Sequence, residues 1–144
     1  MREARRASVE RNTKETHITL RLDLDGGAIE VDTGVKFFDH MLATLAKHAG
    51  LGLVVVARGD GMDNHHVIED VGIALGRAVH DALGEKRGIA RFGSMIVPLD
   101  DALVAGSVDL SGRSYLNFAV RFTCEDLGDT KTEMIGEFFR ALCD

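Results

Sequence analysis

The chain has 144 residues, 45% of them apolar and 28% charged, a length and balance that fit one soluble globular domain with a single core. Seventeen basic against twenty-three acidic residues give a formal charge of −6, which opposes the basic surface that nucleic acid needs, and no apolar run is long enough for a membrane span or an export signal. A small phosphorylated ligand stays open, because one phosphate needs only a few placed cations or backbone amides.

From Thr16 to Leu24, Ile18, Leu20, Leu22 and Leu24 alternate with Thr19, Arg21 and Asp23, the pattern of a half-buried strand. Asp25-Gly26-Gly27 tolerates positive φ and Ile29 and Val31 resume the alternation, so a hairpin is expected there. A helix follows from Val35 to about Ala49, with Phe37, Phe38, Met41, Leu42 and Leu45 as its apolar stripe. Lys36, His40, Thr44 and Lys47 take the opposite face, and Gly50 is the stop. Leu53 to Ala57 is short, continuous and β-branched, which suits a buried strand. A second helix runs from about His65 to Leu83, with Asp63 or Asn64 as cap and Gly84 as terminator.

The later part of the chain repeats this order. Val104 to Leu110 alternates, Ser111-Gly112 turns, Leu116, Phe118, Val120 and Phe122 alternate again, and another helix begins near Glu133. Leu24-Asp25-Gly26 answers Leu110-Ser111-Gly112, and Phe37-Phe38 with Leu42 answers Phe138-Phe139 with Leu142. The match is short, and coincidence between two amphipathic helices is the competing explanation. On the repeat, residues 1–87 form a first half and 88–144 a second half that lacks a strand and a helix; the counterpart of His65 would fall beyond Asp144. Cys124 and Cys143 share no short spacing and read as reduced thiols, so the cytoplasm is the simplest compartment.

The stretch Asp63-Asn64-His65-His66-Val67-Ile68-Glu69-Asp70 carries the most chemistry. On a helix, Glu69 lies one turn from both His65 and His66, so two imidazoles and a carboxylate are expected to converge near the helix start. Such a set suits Mn²⁺, Fe²⁺, Co²⁺ or Zn²⁺ better than Mg²⁺ or Ca²⁺. Neighbouring histidines diverge by about 100° around a helix, so they can also serve two ions. A solvated polar helix start is the plainer alternative. His40 on the polar face of the first helix, with His48 two turns further on, tips the balance toward a shared metal site. Arg91-Phe92-Gly93 and Ser111-Gly112-Arg113 each set an arginine beside a glycine, where guanidinium and backbone amides suit a phosphate, although solvent-facing arginines at turns have the same pattern. Glu15, in Thr13-Lys14-Glu15-Thr16, is either a proton-transfer group or one member of a surface Lys-Glu pair.

Taken in order, Thr13 to Thr16, Phe37-Phe38-Asp39-His40-Met41-Leu42, Asp63 to Asp70, Gly88-Ile89-Ala90-Arg91-Phe92-Gly93, Pro98-Leu99-Asp100 and Asp109-Leu110-Ser111-Gly112-Arg113 closely resemble the imidazoleglycerol-phosphate dehydratase family. The resemblance covers nearly the whole chain. It implies an α/β (α+β) fold of duplicated βαβ-type half-domains, two sheets enclosing a helical bundle, assembled as a homo-oligomer of 24 subunits with paired Mn²⁺ ions between neighbours. It further implies that His40, His65, His66 and Glu69 are metal ligands, that Arg91 and Arg113 hold phosphate, and that Glu15 and His48 touch a small phosphorylated imidazole substrate, with Glu15 moving a proton. The implied reaction is a lyase step of histidine biosynthesis that dehydrates imidazoleglycerol phosphate to imidazole acetol phosphate.

The family pattern has a second HHxxE, a further histidine before it and a lysine after it, which do not occur in this sequence. Repeat and resemblance therefore both lead to the expectation that about 45 residues are absent and that this chain supplies half of each metal shell. Two rivals remain at this point. One is a metallohydrolase that activates water with His65, His66 and Glu69; the other is a non-catalytic module whose histidines only cement subunits through metal.

Overall fold

A computed structural model describes residues 4–144 of this mixed α/β protein. It comprises two compact units, one running to Gly84 and resuming at Tyr115, the other spanning Glu85–Ser114.

The first unit is built on a four-stranded sheet. Strand β1 (Arg6–Asn12) pairs antiparallel with β2 (Thr16–Asp23), and β2 pairs antiparallel with β4 (Gly52–Gly59). Strand β3 (Ile29–Asp32) lies on the far side of β4 and runs parallel to it, giving the order β1-β2-β4-β3. The hairpin expected across Asp25-Gly26-Gly27 is therefore absent. β4 is an apolar strand that gains a ladder on both edges by standing between β2 and β3. The glycine turn, with φ of +103° and +148°, instead carries the chain over Gly52, where an added Cβ would lie 3.0 Å from the Gly26 carbonyl oxygen.

Helix α1 (Lys36–Ala49) ends on Gly50 in the left-handed conformation, as its sequence predicts. Its buried line is Phe38, Leu42 and Ala46, whereas Met41 and Leu45 are 44% and 42% exposed. The apolar stripe read from the sequence is thus turned partly to solvent, because a straight i, i+4 line faces the sheet. Helix α2 (His65–Leu83) packs Ile68, Val71 and Leu75 against Ile18, Leu20 and Leu22 of β2 and Leu53 and Val55 of β4. All of these are buried, and burying one such side chain contributes about 1.5–3 kcal/mol. Short strands β7 (Asp126–Leu127) and β8 (Thr130–Lys131) form a tight hairpin before helix α3 (Glu133–Cys143).

Residues 116–122 form no strand, contrary to their alternation, since alternation needs a ladder partner and none of the described residues provides one. Phe118 stacks on Phe139 of α3 at 5.8 Å instead, with Phe122 at 6.4 Å from Phe118. No helix among the described residues is long and apolar enough to cross a membrane.

The second unit is a hairpin of β5 (Phe92–Leu99) and β6 (Ala102–Asp109), registered from Phe92 opposite Asp109 to Leu99 opposite Ala102. Asp100 at its tip has φ of +49°.

Helix α3 approaches α2 closely only because α2 has glycines at the contact. A Cβ on Gly72 would lie 2.8 Å from the Phe138 carbonyl oxygen, and one on Gly76 would collide with that of Leu142. Gly76→Ala is therefore expected to lower the melting temperature. The helix-propensity gain of about 1 kcal/mol is outweighed by overpacking against a backbone that cannot yield, about 1–3 kcal/mol. Thermal unfolding followed by circular dichroism checks the sign, and a raised melting temperature contradicts the packing described.

Candidate functional site

The first turn of α2 displays the histidines. Asp63 accepts a hydrogen bond from the His65 backbone N–H at 2.8 Å and helps start the helix, while Asn64 occupies the N-cap. His65 Nε2 stands 3.3 Å from Glu69 Oε2, and the two side chains are 44% and 45% exposed. His66 points elsewhere, with its ring centre 6.0 Å from that of His65 and its Nδ1 3.3 Å from Asp60 Oδ2. The convergence of both imidazoles on Glu69 is thus corrected: adjacent helical residues diverge by about 100°, and Asp60, just before the helix, holds the second ring. Among the described residues, no three His, Cys, Asp or Glu side chains gather around one point. His40 and His48 are exposed on α1, where the Thr44 hydroxyl donates to the His40 carbonyl at 2.7 Å.

This donor set fits a divalent metal. Two ligands at right angles on one ion, with bonds of about 2.1 Å, lie about 3 Å apart, close to the His65–Glu69 separation of 3.3 Å. His66 with Nδ1 against Asp60 leaves Nε2 outward, the carboxylate-histidine arrangement that fixes the ring and tautomer of metal-binding histidines.

Glu15 lies at the tip of the β1–β2 turn. The Thr13 hydroxyl accepts from the Glu15 and Thr16 backbone N–H groups at 3.1 and 3.0 Å, which shapes the tip and leaves the Glu15 side chain exposed. The next residue, Thr16, is buried and donates its hydroxyl to Asp70 Oδ2 at 2.5 Å, while Arg11 NH2 meets Asp70 Oδ1 at 2.8 Å. Asp70 directly follows Glu69, so this network ties the Glu15 turn to the histidine helix, a relation that spacing alone does not convey. Asp70 has one readable signal: it is an acidic residue on the apolar face of α2, among Val67, Val71 and Ala74.

The helix carrying His40 is started by a distant residue. Val35 at its N-cap has no capping side chain, and Asp129 in the β7–β8 turn accepts from the Lys36 and Phe37 N–H groups at 2.7 and 3.0 Å. Those amides hold the Asp129 carboxyl below its usual range. Asn64 at the α2 N-cap donates to the Asp129 carbonyl at 2.7 Å. Nothing in the local sequence around Asp129 signals either contact.

In the hairpin unit, Arg91 grips Asp109 with Nε and NH2 at 2.7 and 3.1 Å and lies 4.9 Å from the Phe92 ring centre. The Arg91 hydrogen bond holds the Asp109 carboxyl below its usual range. Two of the five N–H donors of Arg91 are thereby engaged, which leaves three in a fixed plane for an anion. Arg113 is exposed after the Ser111-Gly112 turn, with its backbone N–H on the Ser111 hydroxyl at 3.2 Å.

A family model for imidazoleglycerol-phosphate dehydratase matches residues 33–144. A relative of that description from Gluconobacter oxydans is 54% identical over 143 residues, covering 98% of this chain and 72% of the relative. Another, from Acidiphilium cryptum, is 53% identical over 141 residues, covering 96% and 72%. Among solved structures, the imidazoleglycerol-phosphate dehydratase of Staphylococcus aureus superposes with a TM-score of 0.85 at 35% identity, covering 96% of this chain and 76% of that one. The Pyrococcus furiosus enzyme, in complex with (S)-C348, gives 0.81 at 36% identity, covering 93% and 72%.

Removing Asp70 leaves Arg11 without its carboxylate, and the Arg11 Nε is already buried without a hydrogen-bond partner. Asp70→Ala is expected to cost about 2–4 kcal/mol of folding stability, below the full figure for a buried pair because the Arg11 side chain is 34% exposed. Thr16→Val is expected to cost about 1 kcal/mol. Urea unfolding measures both, and an Asp70→Ala chain as stable as the parent contradicts the network.

Proposed function

Because this chain belongs to the imidazoleglycerol-phosphate dehydratase family, it is a lyase of histidine biosynthesis, and we propose that His40, His65, His66 and Glu69 hold its divalent metal, Mn²⁺ by preference. The observation that carries this reading is the half-exposed His65–Glu69 pair at 3.3 Å beside a His66 ring held by Asp60. His40 is exposed and His65, His66 and Glu69 are partly exposed, which supports sites shared between subunits of a homo-oligomer, with two ions per site and 24 subunits in the full assembly. The short internal repeat supports the finer architecture, half-domains at 1–87 and 88–144 whose sheets enclose a helical bundle. Exposed free thiols at Cys124 and Cys143 support a reducing, cytoplasmic setting.

Bound divalent ions supply Lewis-acid polarisation of the substrate's imidazole, the electronic push that neutral side chains do not give an unactivated diol. The chain's own residues do the rest. His65, His66 and Glu69 present donors from one rigid helix turn, and the Asp70 network holds that turn against the Glu15 tip. Glu15 takes the proton from the substrate C–H and gives up a proton to the departing hydroxyl, so that H and OH leave together as water, and the resulting enol becomes the ketone of imidazole acetol phosphate. Arg91 and Arg113 grip the phosphate, and His48 contacts the substrate, which converts binding at the phosphate end into orientation at the reacting carbons.

His66→Ala is expected to weaken Mn²⁺ binding by more than the roughly 10–100-fold typical of a residue behind the ligands. Titration calorimetry showing parental affinity in that variant removes His66 from the site.

Arg91→Ala and Arg113→Ala are each expected to reduce the preference for a phosphorylated imidazole alcohol over its dephosphorylated form while metal affinity stays at the parental value. Competition binding with the two ligands reads the preference directly. A preference undiminished in both variants argues against the arginine assignment.

A further inference from the structure

We propose that Asp129 is a positioning residue: it fixes the starts of α1 and α2 against one another and so sets His40 relative to His65 and His66. The inference rests on the metal assignment above. Neither N-cap residue caps its helix with its own side chain: Val35 offers no acceptor, and the Asn64 amide makes no cap bond to α2, whose first N–H is taken by Asp63 instead. The first N–H groups of a helix need acceptors, and α1 finds them 93 residues away, where Asp129 Oδ2 takes the Lys36 N–H at 2.7 Å and Oδ1 the Phe37 N–H at 3.0 Å. The carbonyl oxygen of the same residue takes the Asn64 Nδ2–H at 2.7 Å.

One residue thus bonds to both helix starts through different groups, carboxylate to α1 and carbonyl to α2. The bonds land close to the chemistry. His40 lies one helical turn after Lys36, and His65 immediately follows Asn64. The turn that presents Asp129 is specified locally, with Gly128 at φ of +62° and its position beside Phe37 of α1. Phe38 and Phe138 add an edge-to-face contact at 5.4 Å between α1 and the helix following that turn. Metal ligands must be held to within about 0.5 Å, and a bridge with short bonds at both ends supplies that restraint without touching the ion.

The test is Mn²⁺ titration calorimetry on the intact chain, comparing parent, Asp129→Ala, Asp129→Asn, Asn64→Ala, the Asn64→Ala/Asp129→Ala double variant and His66→Ala, with melting temperatures recorded alongside. A positioning role predicts that Asp129→Ala weakens Mn²⁺ binding by about 10–100-fold and that Asn64→Ala weakens it to a smaller extent. It also predicts that the double variant is little worse than Asp129→Ala alone, because either cut severs the same bridge. Asp129→Asn keeps one of the two side-chain acceptors and recovers part of the affinity. A role confined to stability predicts a lowered melting temperature with parental Mn²⁺ affinity in both single alanine variants, and that result overturns the proposal while His66→Ala still loses metal. If Asp129→Ala fails to fold, Asn64→Ala, which leaves the α1 cap intact, decides by the same criterion. Parental affinity in His66→Ala brings down the metal assignment, and this inference with it.

Discussion

A carboxylate at a buried strand–helix junction has to be paired, and the pairing of Asp70 with Arg11 and Thr16 is the constraint on which the described site depends. Arg11 ends its contribution near the close of β1, Thr16 opens β2, and Asp70 lies in the second turn of α2. The three meet where the β1–β2 turn abuts the helix. One residue before Thr16 is Glu15, and one residue before Asp70 is Glu69, so the inward-facing pair ties together the segments that carry two outward-facing carboxylates. Neighbours on the same turn are thus divided: Asp70 faces the interior and holds the junction, while Glu69 is partly exposed beside His65.

Most elements could be read from the sequence because their periodicities are strong. Helix α2 begins and ends at His65 and Leu83 as expected, and α1 stops at Gly50 through the left-handed residue its sequence advertises. The misreadings have a common physical origin, since strand pairing is a non-local choice. Ile29 and Val31 alternate as a hairpin partner of β2 would, yet the apolar run of β4 takes the place between them. Leu116 to Phe122 alternate with nothing to pair with, and their rings go to α3 instead.

The candidate site divides along the same line. Residue types and helical spacing mark His65, His66 and Glu69 as a group, but His65 alone meets Glu69 while His66 turns to Asp60, which precedes the helix and lies outside its spacing pattern. The positioning residues were the least legible. Asp129 reaches α1 across 93 positions and Thr16 reaches Asp70 across 54, distances over which no local pattern operates. Arg91 illustrates a further limit: its charge was apparent, while its commitment of two donors to Asp109, which pre-orients the remaining three, follows from the β5–β6 register that sets the ends of that hairpin together.

The half-exposed histidine turn of α2, with His40 from α1, is the proposed seat of this lyase's metal. Anomalous diffraction at the manganese edge from Mn²⁺-loaded crystals of the chain tests it most directly. Anomalous density is expected within coordination distance of His65, His66, Glu69 and His40, with His66 bound through Nε2 while Nδ1 stays on Asp60. Density at full occupancy elsewhere on the chain, with these four side chains uncoordinated, would contradict it.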